Sequence, residues 1–366
     1  MITVLFENHH LYYLPHFEPI ITKLLKRGDY EVAGSIPLTV AADERRFFAE
    51  AIQKLGVEHI TAPDEETRVK SLQQREFDVI IVGNVGRLET IAAENSVVVM
   101  VYHGIGLKQS YYVDMSPRVD LRAVESEARY EELESRGESN LVLTGLTKLD
   151  SLIGNQETLR KKLMSKWVLD PSRSTVLYAP SFYPSSLEKL LPELPALAKH
   201  VNVLVKLHNF SWHQRRYKFQ SQLALDIITK HEGIKLLPPE EFDITPYFSI
   251  ADILLSDISS TLFEFLAVNR PIVQTYFYAL KTRHNIFRWR LSRRLDLERA
   301  EKIDFTHSLH RPIDLVPVIT EILENPSALA NLRKSAARKH LYKIDGQASS
   351  RLINAIEKLL KEKKNS

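Results

Sequence analysis

Four apolar stretches of this chain stop abruptly at residues that can hold an anion or move a proton. The run Val97 to Tyr102 leads into His103, Gly104, Ile105, Gly106, Leu107 and Lys108. An imidazole at that point can take a proton from a substrate hydroxyl, while the backbone at Gly104 and the cation of Lys108 hold an anion. Val201 to Leu207 leads into His208 and Asn209, a second imidazole placed to donate to a phosphate or a leaving group. Ile253 to Leu255 leads into Ser256, Asp257, Ile258, Ser259, Ser260 and Thr261, directly before an apolar helix that carries Glu264. Hydroxyls and backbone donors at a helix start suit a phosphate. Thr175 to Ala179 leads into Pro180 and Ser181, a turn signal. Each feature has a plainer reading: a turn histidine bonded to a neighbouring carbonyl, or an N-cap at Ser259 or Ser260.

The elements that position these residues follow one grammar. Ile2 to Phe6 reads as a strand, and Phe17, Ile20, Ile21, Leu24 and Leu25 recur at helical spacing until Gly28. Strands and helices then alternate, and several strands are continuously apolar, which marks a parallel sheet covered on both faces. The predicted fold class is α/β, with two Rossmann-like, doubly wound lobes. The boundary falls near Leu169, where composition turns polar at Asp170 and Pro171. Residues 1–168 form the first lobe, 169–345 the second, and 346–366 a C-terminal helix that returns to the first.

The 366 residues suit two domains. With 49 Lys and Arg against 46 Asp and Glu the net charge is only +3, so any basic surface is local. No cysteine is present, which excludes disulfides, thiolate metal sites and cysteine nucleophiles. Neither a G-x-G-x-x-G turn nor a P-loop occurs. The start MITVLFENHH lacks the features of a secretory signal, and no apolar run approaches the ~20 residues of a spanning helix. A cytoplasmic protein is expected.

Taken in order, YHGIGLK, TGLTKLD, LYAPSF, VKLHN and SDISSTLFEFLAVNRPIV resemble the motif series of the CDP-glycerol glycerophosphotransferase family, over about Val101 to Val273. The resemblance implies a GT-B fold, with the two lobes facing across a cleft, the acceptor mainly on the first and a CDP-linked donor mainly on the second. It implies His103 as the general base toward an acceptor hydroxyl and His208 as the group that stabilises the pyrophosphate and departing CMP. It assigns Ser181, Lys206, Ser256, Asp257, Ser259, Ser260, Thr261 and Glu264 to nucleotide and phosphate contacts, and Gly104 and Lys108 to the acceptor. The reaction implied moves glycerol phosphate or ribitol phosphate to a polyol-phosphate, glycan or lipid-linked acceptor of the cell envelope. Tyr102, Ile105, Gly106 and Asn209 stand where the family usually has tryptophan, threonine, proline and proline. TGLTKLD lacks the usual arginine. No tightly bound metal is implied, and Mg²⁺ accompanying the nucleotide stays open.

Two further stretches bear on partners. From Lys281 to Arg294 the chain reads KTRHNIFRWRLSRR, a basic and aromatic segment suited to an anionic polymer or to the inner face of an acidic membrane. A solvated insertion is the equal alternative, and nucleic-acid binding is not expected. The second stretch, HHLYYLPHF, follows the first strand, where acceptor contact competes with a plain surface loop. A sugar-nucleotide glycosyltransferase, an epimerase-like enzyme and a catalytically silent polyanion-binding scaffold are the alternatives to a polyol phosphate transferase.

Overall fold

The structure, a computed structural model, describes residues 1–86, 88–105, 116–280 and 297–365. Lys108, Gly106 and the basic segment Lys281 to Arg294 lie outside these residues. The chain divides into two compact units, one made of Met1–Gly104, Ser110–Ile153 and Lys339–Ser366, the other of Gly154–Arg338 with Ile105–Gln109.

The first unit holds a parallel sheet of β1 (Ile2–Glu7), β2 (Tyr30–Ser35), β3 (Glu58–Ile60), β4 (Val79–Val82), β5 (Val97–Val101), β6 (Leu121–Val124) and β7 (Leu141–Leu143). Their order is β3-β2-β1-β4-β5-β6-β7. Valine-rich strands settle at the centre because both faces there are covered: every residue of β4 and β5 is buried. The helix Leu14–Arg27 buries Leu14, Phe17, Ile20, Ile21 and Leu24, and stops at Gly28, whose φ of 78° is left-handed.

The second unit repeats the scheme with β8 (Thr175–Ala179), β9 (Asn202–Val205), β10 (Ile234–Leu236), β11 (Ile253–Ser256), β12 (Ile272–Thr275) and β13 (His307–Leu309). Their order is β10-β9-β8-β11-β12-β13, again parallel. Each order reverses its winding once, between β1 and β4 in one unit and between β8 and β11 in the other. In doubly wound sheets ligands bind outside the carboxyl ends of strands at that reversal.

The division at Ile153/Gly154 precedes the Leu169 boundary read from composition. The helix Gln156–Lys166 is held by the second unit: Arg160 Nη1 donates to Ile250 O at 3.2 Å, and Trp167 Nε1 donates to Tyr247 Oη at 3.1 Å. A polar turn at Asp170 therefore marks a loop within a unit.

The helix Ala348–Asn365 packs on Leu14–Arg27 in the first unit. TGLTKLD seats its start. Asp150 accepts from Ala348 N at 3.0 Å and Ser349 N at 2.8 Å, and Thr147 Oγ1 donates to His16 O at 2.7 Å. Gly145 adopts φ 89°, and a Cβ there would lie 2.6 Å from Tyr342 O. Asp150→Ala is expected to lower unfolding stability by about 1 to 2 kcal/mol, the cost of losing a helix cap. Asp150→Asn, which keeps one acceptor, should lose less; urea denaturation of the two variants checks the order.

Candidate active site

In the first unit, β5 delivers His103 two residues beyond its last strand residue, half-buried. Its Nδ1 lies 3.1 Å from Gly83 O, at the end of β4. A carbonyl oxygen only accepts, so Nδ1 carries the proton and donates, and the lone pair of the neutral ring sits on Nε2. The ring rests against Tyr13 at a centroid distance of 4.4 Å and Tyr12 at 5.6 Å. Gly83 is required for this approach, since a Cβ there would fall 1.9 Å from Tyr13 Cδ1. Asn84 Nδ2 donates to Tyr13 Oη at 2.8 Å and fixes that ring in turn. Deeper in the unit, burial holds His16 well below the usual imidazole range, reinforced by Lys148 and His103 nearby.

In the second unit, β9 ends before Lys206, Leu207 and His208, and His208 opens the short helix Asn209–His213. Phe210 N donates to His208 Nδ1 at 3.1 Å. An amide N–H only donates, so here Nδ1 holds the lone pair and the neutral ring carries its proton on Nε2. Phe182, at 4.7 Å, and Phe210, at 5.1 Å, hold the ring on two sides. The two imidazoles are thus set in opposite tautomers by their backbone partners. One can accept a proton at Nε2; the other can donate from Nε2.

The loop after β8 lies beside the end of β11, at the reversal of winding. Asp257 is fully buried and accepts from Ser181 N at 2.7 Å, Ser186 N at 3.0 Å and Ser186 Oγ at 3.1 Å. Burial pushes its carboxyl up, against those hydrogen bonds. Ser186 also meets Tyr178 Oη at 2.8 Å. Asp257 therefore ties the 181–186 loop to the sheet.

The positions expected to contact phosphate or nucleotide separate into two groups. Ser259, Ser260 and Thr261 are half-exposed; Ser259 Oγ donates to Thr261 Oγ1 at 3.0 Å, and Ser260 Oγ donates to Glu264 Oε1 at 3.0 Å. Ser256 and Asp257 point inward instead: both are fully buried, and Ser256 Oγ donates to Ala179 O at 2.5 Å. They shape the junction from inside, because the strand end needs its polar side chains satisfied within the protein. Lys206 is also buried, its Nζ donating to Leu207 O at 3.0 Å. Glu264 is buried, and Ser181 spends its Oγ on Pro184 O at 2.5 Å. The apolar helix expected from Thr261 is a single turn, Thr261–Glu264, that passes into a 3-10 turn, Phe265–Val268. Gly104 is buried, with its carbonyl 3.4 Å from Arg129 Nη1.

Three contributors to these sites did not stand out among the strand ends read from sequence: the Gly83 carbonyl, Phe182 and Ser186. Gly83 and Asn84 directly follow the apolar run of β4, and that junction is the signal that points to them.

The chain matches the model of the CDP-glycerol:poly(glycerophosphate) glycerophosphotransferase family over residues 78–358. It belongs to this family. It is accordingly a transferase, with a nucleotide-activated donor and a polymer acceptor as the family's substrates. No curated protein matches the sequence. Among solved structures, a histidine-to-asparagine variant of the wall teichoic acid polymerase TagF soaked with CDPG is 15% identical and covers 100% of this chain and 90% of its own, with a TM-score of 0.74. TagF without that variation gives 17% identity, the same coverage and a TM-score of 0.70. UDP-GlcNAc 2-epimerase from Neisseria meningitidis, bound to UDP-GlcNAc, is 13% identical, with coverage of 98% and 100% and a TM-score of 0.65. The shared fold is of GT-B type, two doubly wound α/β units. Among the described residues no helix is long and apolar enough to cross a membrane, and no group of three or more His, Cys, Asp or Glu side chains is arranged to hold a metal ion.

Proposed function

We propose that the enzyme transfers glycerol phosphate from CDP-glycerol to a hydroxyl of a cell-envelope acceptor, releasing CMP. The observation that carries this reading is the pair of opposite tautomers, His103 with its lone pair on Nε2 and His208 with its proton there. His103 takes the acceptor's hydroxyl proton as the oxygen attacks the phosphorus next to glycerol. The bond from that phosphorus to the bridging oxygen breaks, and CMP leaves with the bond's electrons. His208 donates to the departing phosphate, and the half-exposed Ser259, Ser260 and Thr261 contribute further donors on the same unit. The acceptor contacts belong to the first unit and the donor contacts to the second.

Phosphoryl transfer of this kind gains rate from positioning and charge stabilisation, and the scheme gives no step to a tightly bound metal. The basic segment Lys281 to Arg294 is, by sequence, the candidate for contact with an anionic membrane that carries the acceptor.

A ligand that binds only the folded protein at ~100 times its Kd adds about 2.7 kcal/mol of stability. CDP-glycerol and CMP are therefore expected to raise the melting temperature, while UDP-sugars and GDP leave it unchanged. Stronger stabilisation by a UDP-sugar would move the reading to a sugar-nucleotide enzyme. Stabilisation by CDP-glycerol with no CMP release in the presence of any hydroxyl acceptor would leave a binding scaffold.

A further inference from the structure

The second unit has a cavity at the end of its sheet opposite His208 and the Ser256 to Thr261 junction. Strands β8, β11 and β12 begin there, at Thr175, Ile253 and Ile272. The four residues of β11 put the two ends on the order of 13 Å apart. The cavity has a volume of about 510 Å³, within the ~300 to 1,000 Å³ typical of small-molecule sites. Ser174, Asp252, Asn269, Arg270 and Arg333 are among its lining, and the turn between the helices Leu315–Glu324 and Ala330–His340 forms one wall.

Positive charge in this lining is not matched. Arg333 is 1% exposed, and its Nη1 and Nη2 donate to Ala328 O at 2.7 Å and Pro326 O at 3.1 Å. Its buried Nε has no hydrogen-bond partner, and among the described residues no carboxylate pairs with the guanidinium. Arg270 spends Nη1 on Ser249 O at 3.0 Å and Ala251 O at 2.8 Å, which leaves Nη2 and Nε without a partner among the described residues. Asp252, the one carboxylate among the described lining residues, is already engaged: Oδ1 lies 3.5 Å from Arg160 Nη1, and Oδ2 accepts from Thr175 N at 2.8 Å. Three guanidinium groups thus stand around one carboxylate.

Holding backbone carbonyls explains the donors that these arginines use, but it needs no charge. A buried charge is costly unless it is paired. Burial draws the pKa of Arg333 and of Arg270 below the ordinary guanidinium value, whereas the hydrogen bond to Asp314 raises that of Arg311. Asn269 Oδ1 adds a buried acceptor with no partner. An occupant that satisfies the lining brings two negative charges, acceptors for guanidinium N–H groups and one donor for Asn269. A phosphomonoester carrying a hydroxyl group brings all three.

We infer that this cavity is a second anion site, for a small phosphomonoester that bears a hydroxyl, separate from the strand ends that carry His208 and Ser259. Arg270 and Arg333 hold the phosphate, and Asn269 Oδ1 accepts from the hydroxyl. The site is built within the second unit alone, so it stands or falls independently of the proposed reaction.

Isothermal titration calorimetry of the full chain tests the inference with glycerol 3-phosphate as the probe and glycerol as its uncharged counterpart. Glycerol 3-phosphate is expected to bind with a Kd below ~1 mM and glycerol to show no binding. Arg333→Gln, which keeps a donor for the turn carbonyls and loses the charge, should weaken binding at least ~10-fold. Asn269→Asp should do the same by setting a carboxylate against the phosphate. Aspartate tolerates the left-handed φ of 49° at this position, so this variant decides if Arg333→Gln folds poorly. Ser259→Ala combined with Ser260→Ala, at the other end of the sheet, should bind the probe as the wild type does. No binding of glycerol 3-phosphate up to ~10 mM, or equal binding of glycerol, overturns the inference. So does an affinity that Asn269→Asp leaves unchanged or that the paired serine variant abolishes.

Discussion

Replacing His103 with alanine is expected to lower the rate of CMP release from CDP-glycerol by about 10³-fold, within the ~10² to 10⁴ range of general base catalysis. Affinity for CDP-glycerol should stay within about twofold, because the proposed donor contacts lie on the other unit. The specific reason is the Gly83 carbonyl. By accepting from Nδ1 it fixes the ring so that Nε2 is the basic atom. Alanine removes the base and leaves that carbonyl without its donor, at a modest cost of about 1 kcal/mol in stability. His103→Asn can supply a side-chain N–H to Gly83 and so recover the stability without the rate. Single-turnover CMP release, read beside the melting temperatures of both variants, separates lost chemistry from lost folding. Turnover at the wild-type rate in the alanine variant would remove His103 from the mechanism.

His208→Asn is expected to reduce kcat by about 10² to 10³-fold, the usual effect of deleting one donor to a developing charge. Asparagine is a good N-cap, so its oxygen can take over the Phe210 N–H and preserve the start of the helix Asn209–His213. What disappears is the Nε2–H that the proposed mechanism gives to the departing CMP. The KM for CDP-glycerol should change less than ~10-fold, because the interaction strengthens mainly as charge develops. A large rise in KM with kcat preserved would instead make His208 a ground-state contact. Rate and KM measured on the same preparation decide between the two.

Both imidazoles could be singled out in the sequence because each follows a mostly apolar strand: Val97 to Tyr102 is continuously apolar, and Val201 to Leu207 is broken only by Asn202 and Lys206. The doubly wound class was legible for the same reason. β6 was not. Its four residues include Arg122, which is 2% exposed and paired with Glu138 at 2.9 Å, and an arginine in so short a strand hides the apolar pattern. The contact-based division at Ile153/Gly154 differs from the boundary read from composition because composition reports solvent exposure, whereas the helix Gln156–Lys166 is assigned by what it touches.

At the hydroxyl-rich junction the residue types stood out in the sequence, but their directions could not be read from it. Ser256 and Asp257 turn inward to hold Ala179, Ser181 and Ser186, while Ser259, Ser260 and Thr261 stay half-exposed. A strand alternates its side chains only until it ends, so the period that sorts inner from outer residues is lost where the loop begins. The Gly83 carbonyl went unread for a different reason: a backbone acceptor leaves no trace in residue type, and only its place directly after the apolar run of β4 points to it.

The protonation of two rings in the resting enzyme bears most directly on how the chain divides its chemistry. ¹⁵N NMR of histidine-labelled protein near neutral pH, with resonances assigned through the His103 and His208 variants, distinguishes the two neutral tautomers of each ring. His103 is predicted to carry its proton on Nδ1 and His208 on Nε2. Finding the same tautomer in both, or the reverse assignment, would contradict the division into a base on the first unit and a donor on the second.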